Sequence, residues 1–115
     1  MTLSTFETNK VELLTKQFIE KRRPPVNIRD QVDLSFRIDN QSVEIFEIRP
    51  LWNHPKKKIE ESVAKATFVK SKIIWKIFWQ RADLKWHRYD PDSEVRDISE
   101  FLKIVDEDEH CCFWG

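Results

Sequence analysis

Glu44 and Glu47, with Arg49 two residues on and Asp33 upstream, form the kind of group in which strand-borne carboxylates hold Mg²⁺ beside a cation in metal-dependent nucleases. Here an arginine stands where that chemistry uses a lysine, and such short patterns recur by chance. Glu47 and Arg49 also share one face of an extended chain, so a structural ion pair accounts for them equally well. A second group, His110-Cys111-Cys112, supplies soft ligands, with His54 and His87 elsewhere. Adjacent cysteines lack the spacing that lets two thiolates meet one zinc, so small buried apolar groups are the plainer reading. With only three histidines, no Ser/His/Asp or Cys/His arrangement stands out. No catalytic residue, metal ligand or cofactor is assigned.

The third group is larger. Residues 63–89 carry Phe68, Trp75, Phe78, Trp79, Trp86 and Tyr89, interleaved with Lys65, Lys70, Lys72, Lys76, Arg81, Lys85 and Arg88. Aromatic rings among lysines on strands fit the logic of single-strand binding, in which rings stack on bases and cations meet phosphates. Core packing is the competing account of the tryptophans. The candidate binding surface is therefore Lys65, Lys70, Lys72, Lys76, Phe78 and Lys85.

These residues need elements to position them. Ser4 and Glu7 fit a capping box, and Phe6, Val11, Leu13, Leu14 and Phe18 supply a broad apolar face for a first helix. Lys21-Arg22-Arg23 suits its C-terminal end, and Pro24-Pro25 stops it. Val32, Leu34, Phe36 and Ile38 alternate with polar residues, which predicts a half-buried strand turning at Asp39-Asn40. A second strand over 42–49 ends at Pro50, and a polar connection follows through Trp52 and Lys56-Lys57-Lys58, with a helical turn over 59–62. Strands are expected over 64–70, 72–80 and 84–89, with Ile73, Trp75, Ile77 and Trp79 on the core face. Asp97 caps a last helix whose Ile98, Phe101, Leu102 and Val105 form a packing face. The apolar terminus at Phe113-Trp114 docks onto the body or onto a second subunit, which makes those two residues candidate oligomer contacts.

Composition narrows the function classes. The chain has 115 residues and a formal net charge of +0, so it is read as one domain with no overall steering toward nucleic acid or an anionic membrane. Its one glycine is the last residue, which excludes glycine-rich phosphate loops and dinucleotide fingerprints. No signal peptide and no membrane-spanning run is expected, and two adjacent cysteines make no disulfide framework. A cytoplasmic protein is the resulting expectation. Charge is uneven along the chain: residues 56–89 hold ten basic and three acidic groups, and residues 90–115 hold two and nine. The acidic run Asp106-Glu107-Asp108-Glu109 is expected to sit against the basic strands and neutralise them, in this chain or across a dimer.

The runs FEIRPLW (46–52), AKATFVKSKIIWKIFWQRADLKWHRY (64–89) and the terminal CFWG (112–115) resemble the bacterial family called domain of unknown function 3024. The resemblance covers nearly the whole chain and implies a small, free-standing bacterial cytoplasmic protein. It implies no activity, cofactor or catalytic residue.

The sequence thus predicts a single α+β domain over 1–115: an antiparallel meander of about five strands with an N-terminal and a C-terminal helix. The functional expectation is a non-enzymatic binding or assembly protein acting as a homodimer. Nucleic-acid binding through the basic strands is the alternative, and a metal-dependent nuclease using Glu44 and Glu47 is the third reading.

Overall fold

Ser4 opens the first element by the reciprocal bonds of a capping box. Its hydroxyl accepts the Glu7 amide at 3.1 Å, and the Glu7 carboxylate accepts the Ser4 amide at 3.1 Å. The computed structural model describes residues 3–114; Gly115 of the CFWG run lies outside them. From Ser4 the chain forms helix α1 (Thr5–Arg22), strands β1 (Asp33–Asp39), β2 (Ser42–Leu51), β3 (His54–Val69), β4 (Ile74–Gln80), β5 (Trp86–Arg88) and β6 (Glu94–Val95), and helix α2 (Ile98–Glu107).

The strands form one antiparallel sheet in the order β1-β2-β3-β4-β5, with β6 also paired to β4. β5 pairs with Phe78–Gln80 of β4, and β6 with Trp75 and Lys76. The two short strands are therefore one edge strand, interrupted by the 3₁₀ turn Asp90–Asp92. That interruption turns the expected five strands into six.

Both helices lie on one face of this sheet. Val11, Ile19, Ile98, Phe101, Leu102 and Val105 from the helices share a buried cluster with Leu34, Val43, Ile45, Ala64, Ala66, Phe68, Trp75 and Ile77 from the strands. Trp79 packs partly against the same cluster. Ile45 lies opposite Ala64 while Phe46 lies opposite Ser62, which leaves Val63 as the extra residue of a bulge. Val63 and Ala64 are both buried, so the bulge adds one more apolar side chain to the core.

Four expectations need correction. In α1 the buried stripe is Val11, Thr15 and Ile19, whereas Phe6 and Leu13 are exposed. Both lie about 140–160° around the helix from Val11, which points them away from the sheet. Pro50 does not end β2: β1 begins opposite Ile48, and past that rung β2 has a free edge, where a strand tolerates proline. Residues 59–62 are strand, held by the rungs Ile48↔Glu60 and Glu47↔Glu61; ladder pairing overrides the weak helical preference of a Lys/Glu-rich run. Ile73 is not a core residue. It sits in the β3–β4 turn with φ 55° and is 70% exposed.

Candidate binding face and arm

The sheet face away from the helices is built from alternate residues of each strand, and its side chains line up across the rungs. One row runs Arg37↔Glu44↔Lys65↔Phe78↔Arg88, one residue from each of β1 to β5. Beside it runs Asp39↔Ser42↔Thr67↔Lys76↔Glu94. Basic, acidic and aromatic groups are mixed along this face.

Cations cover the rings. The Arg37 guanidinium lies 4.3 Å from the Phe46 ring centroid. The Lys65 ammonium stands 5.3 Å from the Phe78 ring and 4.9 Å from the Trp86 ring. At such distances a cation meets the negative face of the ring, and its aliphatic stem shields apolar surface from water. Phe46 is only 5% exposed yet lies outside the helix-side cluster. The open face therefore has a small apolar layer of its own. A hollow of about 330 Å³ lies beside Lys72, Lys76, Phe78 and Arg88.

The candidate surface is only partly assembled. Lys65, Lys72, Lys76 and Phe78 come together on or beside the open face. Lys70 lies in the β3–β4 turn and Lys85 in the β4–β5 turn, at opposite ends of β4. Glu44, Glu60 and Glu94 stand among these cations, so the face is no continuous basic track.

Glu44 and Glu47 point to opposite faces. Glu44 accepts the Ser62 hydroxyl at 2.7 Å on the open face. Glu47 accepts from Arg49 at 3.2 Å on the helix side, in a hollow shared with Asp33, Leu34 and Trp114. Three residues along a continuous strand reverse the side, so the two carboxylates cannot share one ion. The histidines are dispersed as well: His87 meets Asp83 at 2.8 Å, His110 stands 6.3 Å from the Tyr89 ring, and His54 closes the β2–β3 turn opposite Leu51. The Lys85 amide and His87 together hold the Asp83 carboxyl below its usual range.

The acidic tail is answered from the helix layer, not by the basic strands. Arg22 donates to the Asp106 carboxylate at 2.7 Å and to the Asp106 carbonyl at 3.1 Å. Its charge thus offsets acids at the negative end of α2. Asp108 caps α2 with φ 40°, and its carboxylate accepts the amides of Cys112, Phe113 and Trp114 at 2.9–3.1 Å. The bonds fold the terminus back. Phe113 is buried with its ring 4.8 Å from that of Tyr89. Trp114 donates its Nε1–H to the Val105 carbonyl at 2.7 Å and lies under Arg22. Both candidate oligomer contacts are packed within their own chain.

One feature was not legible as a site. β2 and β3 continue as a two-stranded arm beyond the last rung to β1, and Trp52 at its tip is 88% exposed. The sequence signal was the tryptophan among lysines at 52–58, which reads as a loop unless the ladder through 59–62 is known.

Residues 3–115 match the family model described as "Domain of unknown function (DUF3024)". Neither a curated protein nor a solved structure matches the chain at a significant level.

Proposed function

We propose, from the premise that the chain belongs to this DUF3024 family, that the protein is a non-enzymatic binding and assembly module that pairs with a second copy of itself through the open sheet face. The observation that carries the reading is the one-sided packing: both helices cover one face, and the other presents the half-buried Phe78 and Trp86 beneath Lys65, beside a Phe46 already buried under Arg37. The row that carries Arg37, Lys65 and Arg88 lies beside the row that carries Asp39 and Glu94. This suits a self-complementary contact in which a two-fold axis sets the first row of one copy against the second row of the other. A net charge of +0 gives two copies no mutual repulsion. A standard pairing removes about 800 Å² from each partner, roughly a tenth of the 7753 Å² surface. The acidic side chains support a structural role: Asp33, Glu44, Glu47, Asp97 and Asp108 are each engaged by a cation, a hydroxyl or backbone amides.

Light scattering at micromolar concentration tests this. The expected mass is about twice the 14.0 kDa of the chain, falling to the single-chain value in Phe78→Glu with its circular dichroism unchanged. A wild-type chain that stays at the single mass across the concentration range overturns the reading.

A further inference from the structure

We propose that the tip of the β2–β3 arm binds single-stranded nucleic acid, with Trp52 stacking on an unpaired base and the lysines beside it meeting adjacent phosphates. β1 leaves the sheet at Ile48 and β4 joins it only at Ala64, so residues 49–59 project with no strand on either side. Leu51 and His54 form the last rung, and Trp52-Asn53 makes the turn. Trp52 is the most exposed large apolar side chain among the described residues.

Its charge is local and unanswered. Pro50 lies opposite Lys58 while Leu51 lies opposite His54, so Pro55, Lys56 and Lys57 have no facing residue and bulge from the ribbon. This gathers three lysines within two rungs of the indole. No acid occurs between Pro50 and Ile59. The next two, Glu60 and Glu61, are engaged by Arg37 and Arg49. Among the described residues Lys56 and Lys57 have no acidic partner, and Lys58 donates to the Asp30 carbonyl at 2.6 Å. A chain of zero net charge thus carries a concentrated positive pole around one exposed ring.

The neighbours of that ring decide the partner. Asn53 and His54 flank it with donors and acceptors that serve base edges or sugar hydroxyls. Carried into an acyl layer, the same groups would be desolvated without partners. A second copy is disfavoured as the occupant. A hollow of about 570 Å³ between α1 and α2 has Lys21, Arg22 and Lys103 in its lining against the single acid Asp106, which Arg22 already engages, so its net charge repels the arm. The inference stands independently of the self-pairing.

Fluorescence anisotropy of a labelled mixed-sequence single-stranded oligonucleotide, at low salt, tests it. Binding should weaken with salt at a log–log slope of about −2, as three phosphate contacts on a single strand give. Trp52→Ala should lower affinity about tenfold, and Lys56→Ala with Lys57→Ala should flatten the slope to about −0.7. Lys70→Ala with Lys85→Ala should leave binding unchanged. Absence of binding, or binding indifferent to Trp52→Ala, overturns the proposal. So does Trp52-dependent binding to phosphatidylserine vesicles without binding to the oligonucleotide, which would assign the arm to a membrane surface instead.

Discussion

Arg23 holds both carboxylate oxygens of Asp33, Nε to Oδ1 at 2.7 Å and Nη2 to Oδ2 at 2.8 Å, tying the end of α1 to the first residue of β1. The fork is partly shielded from water, and Asp33 also accepts the Leu34 amide at 2.8 Å. Arg23 before all else holds the Asp33 carboxyl below its ordinary 3.8. A carboxylate whose folded pKa lies below its unfolded one contributes stability above the unfolded value, and loses it as pH falls through the folded value. Asp97, held down by Lys10 and Ser99, acts in the same direction. Urea unfolding should therefore show stability declining below about pH 4. Asp33→Asn should cost about 1.5–3 kcal/mol at neutral pH, as lost hydrogen bonds to a charge do, and should flatten the acid limb. An unchanged acid limb would dissociate Asp33 from the acid sensitivity.

The terminal fold-back gives the second expectation. Trp114 is half-buried, hydrogen-bonded to Val105 and stacked by Arg22 at 4.1 Å. Trp114→Ala should destabilise by about 2 kcal/mol, below the 3–5 of a fully buried ring. Asp108→Ala should cost at least as much, because three amides lose their acceptor and alanine is poorly suited to φ 40°. Chemical denaturation reads both. If Asp108→Ala proves neutral, the carboxylate does not secure the terminus.

A third expectation concerns alkali. Burial, before all else, pushes the Tyr89 hydroxyl above its ordinary 10.0 and the Cys112 thiol above its ordinary 9.0. The neighbouring Asp108 adds to both shifts. For a group that is neutral when protonated, a raised folded pKa means that the unfolded chain releases its proton first. Stability should thus be intact below about pH 9 and fall as pH rises beyond it. Urea midpoints measured across that window should drop, and Tyr89→Phe with Cys112→Ser should shrink the drop. A slope unchanged in the double variant would place the alkaline sensitivity elsewhere.

Local rules carried much of this fold. The Ser4 and Asp97 caps, the Ile98/Phe101/Leu102/Val105 face and the alternation around Leu34 are short-range patterns, and each appears where those patterns put it. Apart from the helix phase of Phe6 and Leu13 and the turn at Ile73, what failed depended on distant pairing. Glu60 and Glu61 read as helical until β2 supplies their ladder partners, and without that ladder Trp52 is a loop residue rather than the tip of an arm. Charge failed for the same reason. Asp106 is a neighbour of Arg22, 84 residues away, through the packing of two helices, and no count along the sequence contains that contact. The open face was half legible: period two placed Lys76 and Phe78 together, but Arg37 and Arg88 joined them only through register.

The scarcity of glycine gives the last expectation. With none before residue 115, positive φ in the turns between strands falls to Asn40, Ile73 and Leu84, at φ 53°, 55° and 63°. Asn40 tolerates the region well, whereas a β-branched residue there is an outlier, at a cost of about 1–2 kcal/mol. Ile73 recovers little by packing, being 70% exposed. Ile73→Gly should therefore stabilise the protein by about 0.5–1 kcal/mol, the relieved strain exceeding the extra chain entropy of glycine. Ile73→Pro should do the reverse, because the Ile73 amide donates to the Val69 carbonyl at 2.8 Å and proline fixes φ in the negative range. Thermal unfolding of the two variants beside the parent decides the matter. A lower melting temperature in Ile73→Gly would mean that the isoleucine side chain contributes more at the β3–β4 turn than its strained backbone costs.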